Sequence, residues 1–189
     1  MREVENRLWR FKLLGDGFMI EVRWHGRGGQ GAFTASKILG AAAIPDGKYA
    51  LAFPSFGPER RGAPIQAFTK ISDSKITDRS VIKKCDYIIY LDDTLYNSDI
   101  KGDLKTNGKI LINSRHDYED EDIISIDADK ISQEILGRPV ANTAMLAALA
   151  SISGIVEIDN IKEALALYLH KKILDKNKEI IDTVIARRE

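Results

Sequence analysis

The sequence predicts an α/β fold: a single-domain layered sandwich with a largely parallel sheet and a helical C-terminal end. Three observations predict it. Segments of strand character alternate with helical ones along most of the chain, a glycine-rich turn joins the first strand to the first helix, and only helical periodicity remains from Asn142 onward. A length of 189 residues suits one domain able to bury a core without disulfides or metals. Neither an internal repeat nor a linker divides it.

Met1 to Gly17 carries charges and isolated apolar residues such as Trp9 and Phe11, and is read as an N-terminal extension (residues 1–17) to a domain spanning 18–189. Met19 is an alternative start. Ile20, Val22 and Trp24 alternate with Glu21 and Arg23, the period of a strand with one face better buried than the other, and the strand is expected to stop at Gly26. Ala35, Ile38, Leu39 and Ala42 recur at helical spacing until Pro45 and Gly47. Strands are predicted from Lys48 to Phe53 and from Ile65 to Ile71, with a Pro/Gly-rich loop from Pro54 to Pro64 between them. Tyr87 to Leu91 is continuously apolar, as a central strand covered on both faces would be. Lys109–Asn113 and Ile123–Asp127 complete the strands, the last leading into a short helix to about Leu136. Beyond Asn142, Met145, Ala148, Leu149 and Ile152 share one helix face, Ile161, Ala164, Leu165 and Tyr168 a second, and Ile181, Val184 and Ile185 mark a third helix.

Composition excludes several functions. Lys plus Arg and Asp plus Glu each total 28, so no global field recruits nucleic acid or an acidic membrane, and any anion site must be local. Cys85 is the single cysteine, which rules out an internal disulfide and the set of thiolates that an iron–sulfur cluster takes. Apolar runs such as Tyr87–Leu91 and Ala144–Ala150 fall far short of the roughly 18 residues of a membrane span, and without a signal-peptide pattern the chain reads as cytoplasmic.

The most informative residues are Gly26-Arg27-Gly28-Gly29-Gln30-Gly31, between a strand and a helix. Glycines there allow a tight turn and close backbone approach to a ligand, and the free amides of the helix start favour a phosphate. The alternative is a turn that only packs helix on strand. A dinucleotide site would add a carboxylate at the end of the second strand to hold the ribose; that strand ends in Phe53-Pro54-Ser55, and Glu59 lies inside the following loop, which argues against NAD. No Walker-type Gly-x-x-x-x-Gly-Lys-Ser/Thr motif is present. In the loop Phe53 to Pro64, Arg60 and Arg61 supply planar charged forks suited to phosphate or carboxylate, and prolines and glycines fix the backbone. A connector this long is functional more often than not, and it is expected on the same sheet edge as the glycine loop.

Trp24-His25-Gly26-Arg27-Gly28-Gly29-Gln30-Gly31, the loop Ala52 to Pro64 with Pro54-Ser55-Phe56-Gly57-Pro58-Glu59-Arg60-Arg61-Gly62 within it, and the helix start Asn142-Thr143-Ala144-Met145-Leu146 together resemble the gamma subunit of pyruvate or ketoisovalerate:ferredoxin oxidoreductases. The resemblance runs from about Met19 to the C-terminus. It implies a subunit, inactive alone, of a complex that oxidatively decarboxylates a 2-oxoacid, with pyruvate the preferred guess. It further implies coenzyme A as acyl acceptor, thiamine diphosphate, magnesium and iron–sulfur clusters on the partner subunits (alpha, beta and delta types), and ferredoxin reached through the complex. The gamma domain resembles a part associated with coenzyme A binding and active-site assembly. The residues that this assigns to the site are Gly26, Arg27, Gly28, Gly29, Gln30, Gly31, Ser55, Phe56, Gly57, Glu59, Arg60, Arg61 and Asn142, with no catalytic or metal-binding residue of its own. Two alternatives stay open: an architectural subunit without a ligand, and a freestanding nucleotide-binding oxidoreductase, which would need the missing ribose carboxylate.

Other candidates are read structurally. Gly15-Asp16-Gly17 matches only the beginning of a thiamine diphosphate motif and lacks its later asparagine, so it is read as a turn. His25 at a strand end is a structural partner before it is a proton carrier. Asp92-Asp93 reads as a cap or solvated turn, Cys85 as a small buried hydrophobe, and Asn142 as a helix N-cap with ligand contact open. His116 and His170 have no partner that the sequence names.

Overall fold

The computed structural model describes residues 18–55 and 61–187. Their order is β1 (Met19–Arg27), α1 (Ala32–Ala43), β2 (Tyr49–Pro54), β3 (Pro64–Ser72), β4 (Cys85–Tyr90), 3-10 turns at Asp93–Leu95 and Ser98–Asp103, β5 (Leu104–Asn113), β6 (Ile123–Ile126), α2 (Ala128–Leu136), α3 (Asn142–Ser153), α4 (Ile158–Tyr168) and α5 (Lys171–Ala186). The predicted elements are present, with ends shifted by a residue or two except that β5 begins five residues earlier and the last helix is longer. β1 runs one residue past Gly26, pairing Arg27 with Pro64.

The strands form one sheet ordered β2-β3-β1-β4-β5-β6. β1, β4, β5 and β6 pair in parallel, β3 is antiparallel to β1, and β2 antiparallel to β3. Only β3 therefore runs against the rest, and the sheet is largely parallel, as expected. This directs the ends of β1, β2, β4, β5 and β6 to one edge, where α/β sheets bind ligands.

Alternation along β1 sets the two faces. Val22 and Trp24 join Ala67, Ile71, Ile89 and Leu111 in the larger core beneath the helices. Trp24 is fully buried, and its indole N–H donates to Thr69 Oγ1 at 3.1 Å, while that hydroxyl donates to the Ser36 carbonyl at 3.1 Å. No polar atom of that relay is left unpaired, which is what so deep a burial demands. α3 lies within the larger core with every residue from Asn142 to Ala150 buried. The single apolar face expected there is thus replaced by burial all round, the signature of a central helix. In α4, Ile161, Ala164 and Leu165 are buried as expected, whereas Tyr168 is exposed beside the Lys37 ammonium.

The opposite face is covered by the segment between β3 and β4 and by the 3-10 turns, whose Ile82, Leu95, Tyr96 and Ile100 pack on Phe68, Ile88, Tyr90, Ile110 and Ile112. It also holds charges. Arg23, buried rather than on a solvated strand face, donates to Asp103 at 2.6 Å and to the carbonyls of Ile82 and Lys83 at 2.9 and 3.1 Å. Lys70, only 1% exposed, meets Asp78 at 2.8 Å and Glu21 at 3.7 Å, and Lys105 bridges Glu21 and Asp86. Pairing is what makes buried charge tolerable.

Candidate functional site at the carboxyl edge

The glycine loop leaves β1 at this edge and is stitched to the chain entering β3. Gly28 N–H donates to the Ala63 carbonyl at 2.9 Å, and Gly62 N–H donates back to the Gly28 carbonyl at 3.0 Å. The turn is closed by Gln30, whose N–H reaches the Arg27 carbonyl while its Oε1 accepts the Arg27 N–H at 2.7 Å. The glycine loop and the described end of the second loop, Gly62 and Ala63, therefore lie side by side.

Arg27 and Gln30 are held from the protein side. Arg27 Nε and Gln30 Nε2 both donate to Asp92 Oδ2, at 2.9 and 3.2 Å, and Arg27 also reaches Thr94 Oγ1 at 2.9 Å. Burial pushes the Asp92 carboxyl up, but hydrogen bonds from Thr94, Gln30 and Arg27 outweigh that and hold it below the usual carboxylate range. Asp92 caps its 3-10 turn through the Thr94 N–H, as its sequence position suggested. Its second role, locking the glycine loop, was not read from the sequence; the available signal was its place at the end of a central strand.

Asn142 meets this loop from the other side. The structure corrects its position: Ala141 is the N-cap of α3, and Asn142 is the first helical residue, its Oδ1 accepting the neighbouring Thr143 N–H at 2.9 Å. Asn142 is 8% exposed, and its Nδ2 donates to no described residue. Gly31, the N-cap of α1, has φ 83°, and a Cβ there would lie 2.5 Å from that Nδ2. The starts of α1 and α3 thus converge. Neither N-cap residue supplies a side-chain cap and neither first turn holds an acidic residue, so, apart from the Thr143 N–H that Asn142 Oδ1 accepts, both starts present free N–H groups and positive dipole ends. Gly29, with φ 98°, faces open space, with nothing within 4 Å of a Cβ built on it.

Beyond the ends of β4 and β5 lies a cleft of about 310 Å³ lined by Gln30, Asp92, Asn113, Ser114, Arg115 and His116 among others. Asn113 spans it, donating to the Leu91 carbonyl and accepting the N–H groups of Ala128 and Asp129 at the start of α2. Among the described residues no three His, Cys, Asp or Glu gather as a metal site. Cys85 is buried, its thiol pushed up to about 11 by desolvation, so the donor set of this chain does not fit an iron–sulfur cluster. His25 immediately precedes Gly26 of the glycine loop, stacked 4.4 Å from Tyr90, with Nε2 buried and without a partner among the described residues. Burial first, and then Arg23, lower its pKa to about 4. The neutral ring packs on Tyr90 and Nε2 makes none of the hydrogen bonds that a structural partner would supply. His170 caps α5, accepting the Lys172 N–H on Nδ1.

Ser55 and Arg61 are exposed on this edge. Phe56, Gly57, Glu59 and Arg60 lie outside the described residues, as does the Gly15-Asp16-Gly17 triplet.

A family profile described as pyruvate ferredoxin/flavodoxin oxidoreductase matches residues 21–186. The chain belongs to that family. It is 48% identical over 164 residues to the pyruvate synthase subunit PorC of Methanothermobacter marburgensis, covering 85% of this chain and 93% of that protein. It is 42% identical over 169 residues to the pyruvate/ketoisovalerate oxidoreductases common subunit gamma of Pyrococcus furiosus, covering 84% and 91%. Among solved structures, pyruvate oxidoreductase subunit PORC of Thermotoga maritima superposes with a TM-score of 0.77 at 34% identity, over 89% of this chain and 96% of that one. A 2-oxoglutarate:ferredoxin oxidoreductase of Magnetococcus marinus, solved with 2-oxoglutarate, coenzyme A and succinyl-CoA bound, shares the fold, with a TM-score of 0.70 at 20% identity over 90% of this chain and 30% of that one. The chain is a gamma-type subunit of a 2-oxoacid:ferredoxin oxidoreductase, one part of a multi-subunit oxidoreductase. No described helix is long and apolar enough to cross a membrane.

Proposed function

We propose that this gamma subunit contributes a phosphate-binding part of the coenzyme A site to a complex that converts a 2-oxoacid, pyruvate by preference, to its acyl-CoA. One observation carries the reading: two helix starts without an N-cap side chain converge where Asn142 Nδ2 has no partner among the described residues and Gly29 leaves the backbone open. An anion bound there meets N–H donors of both helices without displacing a protein carboxylate. Arg27 and Gln30 position the loop through Asp92 instead of contacting the ligand, while Arg60 and Arg61, which precede the tethered Gly62 and Ala63 in sequence, supply positive charge for the phosphates. Gly26, Gly28 and Gly31 shape the turn, and Ser55, Phe56, Gly57 and Glu59 belong to the same sequence segment as the two arginines.

Coenzyme A is bound in the Magnetococcus complex, which shares this fold, and pyruvate appears in the names of several relatives. The Pyrococcus subunit is common to pyruvate and ketoisovalerate enzymes, which supports leaving the choice of 2-oxoacid to other chains. Thiamine diphosphate, magnesium and the clusters then belong to alpha-, beta- and delta-type partners in the cytoplasm, with ferredoxin reduced through the complex. Thiamine diphosphate supplies carbanion stabilisation and the clusters remove electrons; this chain binds and orients the acyl acceptor.

The experiment separates the half-reactions in the assembled complex. Replacing both Arg60 and Arg61 with alanine should leave formation of the thiamine-bound intermediate without coenzyme A unchanged. It should weaken coenzyme A use about ten- to a hundredfold per lost contact, since a hydrogen bond to a charged group contributes about 1.5–3 kcal/mol. An intact complex with unchanged coenzyme A dependence would favour a purely architectural subunit.

A further inference from the structure

β2 is the last strand of the sheet on its side, and among the described residues nothing pairs with its outer edge. Open edges are usually protected by charge or shortness. β6, at the other end, is both: four residues flanked by Asp120, Asp122 and Asp127. β2 reads Tyr-Ala-Leu-Ala-Phe-Pro and carries no charge. Tyr49 within it and Ile44 before it are 49% and 55% exposed, two of the large apolar side chains left on the surface.

The backbone donors on this edge have a definite pattern. Ser55 N–H donates to the Gln66 carbonyl at 2.8 Å, and the register to β3 is regular from Tyr49 to Pro54. Antiparallel pairs alternate in hydrogen bonding. Odd-numbered residues therefore bond inward to β3, and the N–H and C=O groups of Ala50 and Ala52 point outward. The pattern closes at both ends, because Lys48 N–H is donated to the Ala43 carbonyl at 3.3 Å and Pro54 has no N–H. What remains is a short edge centred on Leu51 whose donors and acceptors are symmetric about that residue.

We propose that β2 is a homotypic pairing edge: a second copy of this chain docks antiparallel about a two-fold axis at Leu51. Ala50 then exchanges both backbone hydrogen bonds with Ala52 of the second copy, and the reverse pair does the same, so every outward N–H is satisfied. Shifting the register by two residues would place an outward group opposite Pro54 or Lys48 and lose bonds. Leu51 faces Leu51 of the second copy, and Tyr49 faces Phe53 of the second copy, extending the apolar face on which Phe53 stacks with Phe68 at 5.2 Å. The absence of charge matters because a two-fold axis would bring any charged residue at the centre against itself. The proposal is independent of the coenzyme A reading.

Directly opposed residues at a non-hydrogen-bonded position have Cα atoms about 4.5 Å apart, within disulfide range. The full-length chain carrying Leu51→Cys should therefore form a covalent homodimer under mild oxidation. Tyr49→Cys, which would face Phe53 of the second copy, and Leu167→Cys, on a surface 72% exposed, should remain mostly uncross-linked. Cys85 is buried and gives no background. In sedimentation the unmodified chain should run as a dimer and Leu51→Lys as a monomer with an unchanged far-ultraviolet circular dichroism spectrum, its thermal midpoint lower only by the lost association. Cross-linking that follows exposure, with Tyr49→Cys as efficient as Leu51→Cys, would overturn the proposal. So would a monomeric unmodified chain, or a Leu51→Cys adduct in the assembled complex joined to a different subunit.

Discussion

Three helices begin at the carboxyl edge of the sheet, and they are finished in opposite ways. α2 is closed: Asp127 accepts the Lys130 N–H, Asp129 lies in the first turn, and Asn113 Oδ1 takes the N–H groups of Ala128 and Asp129. α1 and α3 begin at Gly31 and Ala141 with neither side-chain cap nor acid. A capped helix start is worth about 1 kcal/mol, so leaving two adjacent starts uncapped sacrifices stability that α2 retains. On the proposed reading, the difference separates an end that completes the fold from ends that receive an anion.

Gly31 and Gly29 break or sharpen that comparison most directly. Gly31→Val places a branched side chain on a left-handed backbone and against Asn142, combining about 1–2 kcal/mol of backbone strain with about 1–3 of overpacking. Its unfolding midpoint should fall by many degrees. Gly29→Ala meets nothing and should cost only the backbone term, about 1 kcal/mol, while impairing coenzyme A use. Equal stability losses in the two variants would mean that α1 and α3 do not converge as described.

His25 probes the protein side of the same loop. Its folded pKa of about 4 lies below the ordinary 6.5 because burial and Arg23 disfavour the cation. The unfolded chain therefore binds the proton at higher pH, so the stability from keeping His25 neutral is fully present above about pH 6.5. It is lost as pH falls towards 4, amounting to at most about 3 kcal/mol. Denaturant midpoints compared with His25→Gln between pH 7 and 4 should show the flatter profile in the variant. Parallel profiles would mean that His25 is solvated.

The smallest effect is expected at Asp92, whose lock on Arg27 is partly exposed. Asp92→Asn should lower stability by about 1 kcal/mol, discounted for solvent. It should also raise the KM for coenzyme A modestly, because the loop loses its anchor and keeps its donors. An unchanged KM would remove Arg27 and Gln30 from any positioning role.

Much of this edge was legible in the sequence because it depends on local chemistry. The glycine run between a period-two and a helical segment placed the β1–α1 turn, and Pro54 and Pro64 bracketed the second loop. What was not legible depends on contacts distant in the chain. The Asp92–Arg27 bond spans 65 positions. The burial of Arg23 requires Asp103 and the Ile82 carbonyl, whereas its alternating position placed it only on the less buried face of the strand. α3 is apolar on all sides, and periodicity by itself cannot reveal which of its faces meets the sheet. Asn142 was recognised as a helix start, but its side chain turns to the glycine loop because Gly31 leaves no Cβ in the way.

The contrast between open and closed helix starts is tested most directly in the assembled complex by measuring KM for coenzyme A and for the 2-oxoacid with Asn142→Ala and, separately, Asp127→Ala. The account predicts that Asn142→Ala raises the coenzyme A KM about tenfold or more, the loss of one hydrogen bond to a charged group, and leaves the 2-oxoacid KM unchanged. Asp127→Ala should cost about 1 kcal/mol of stability as a lost cap and change neither constant. Equal coenzyme A constants in both variants and the unmodified complex would contradict it.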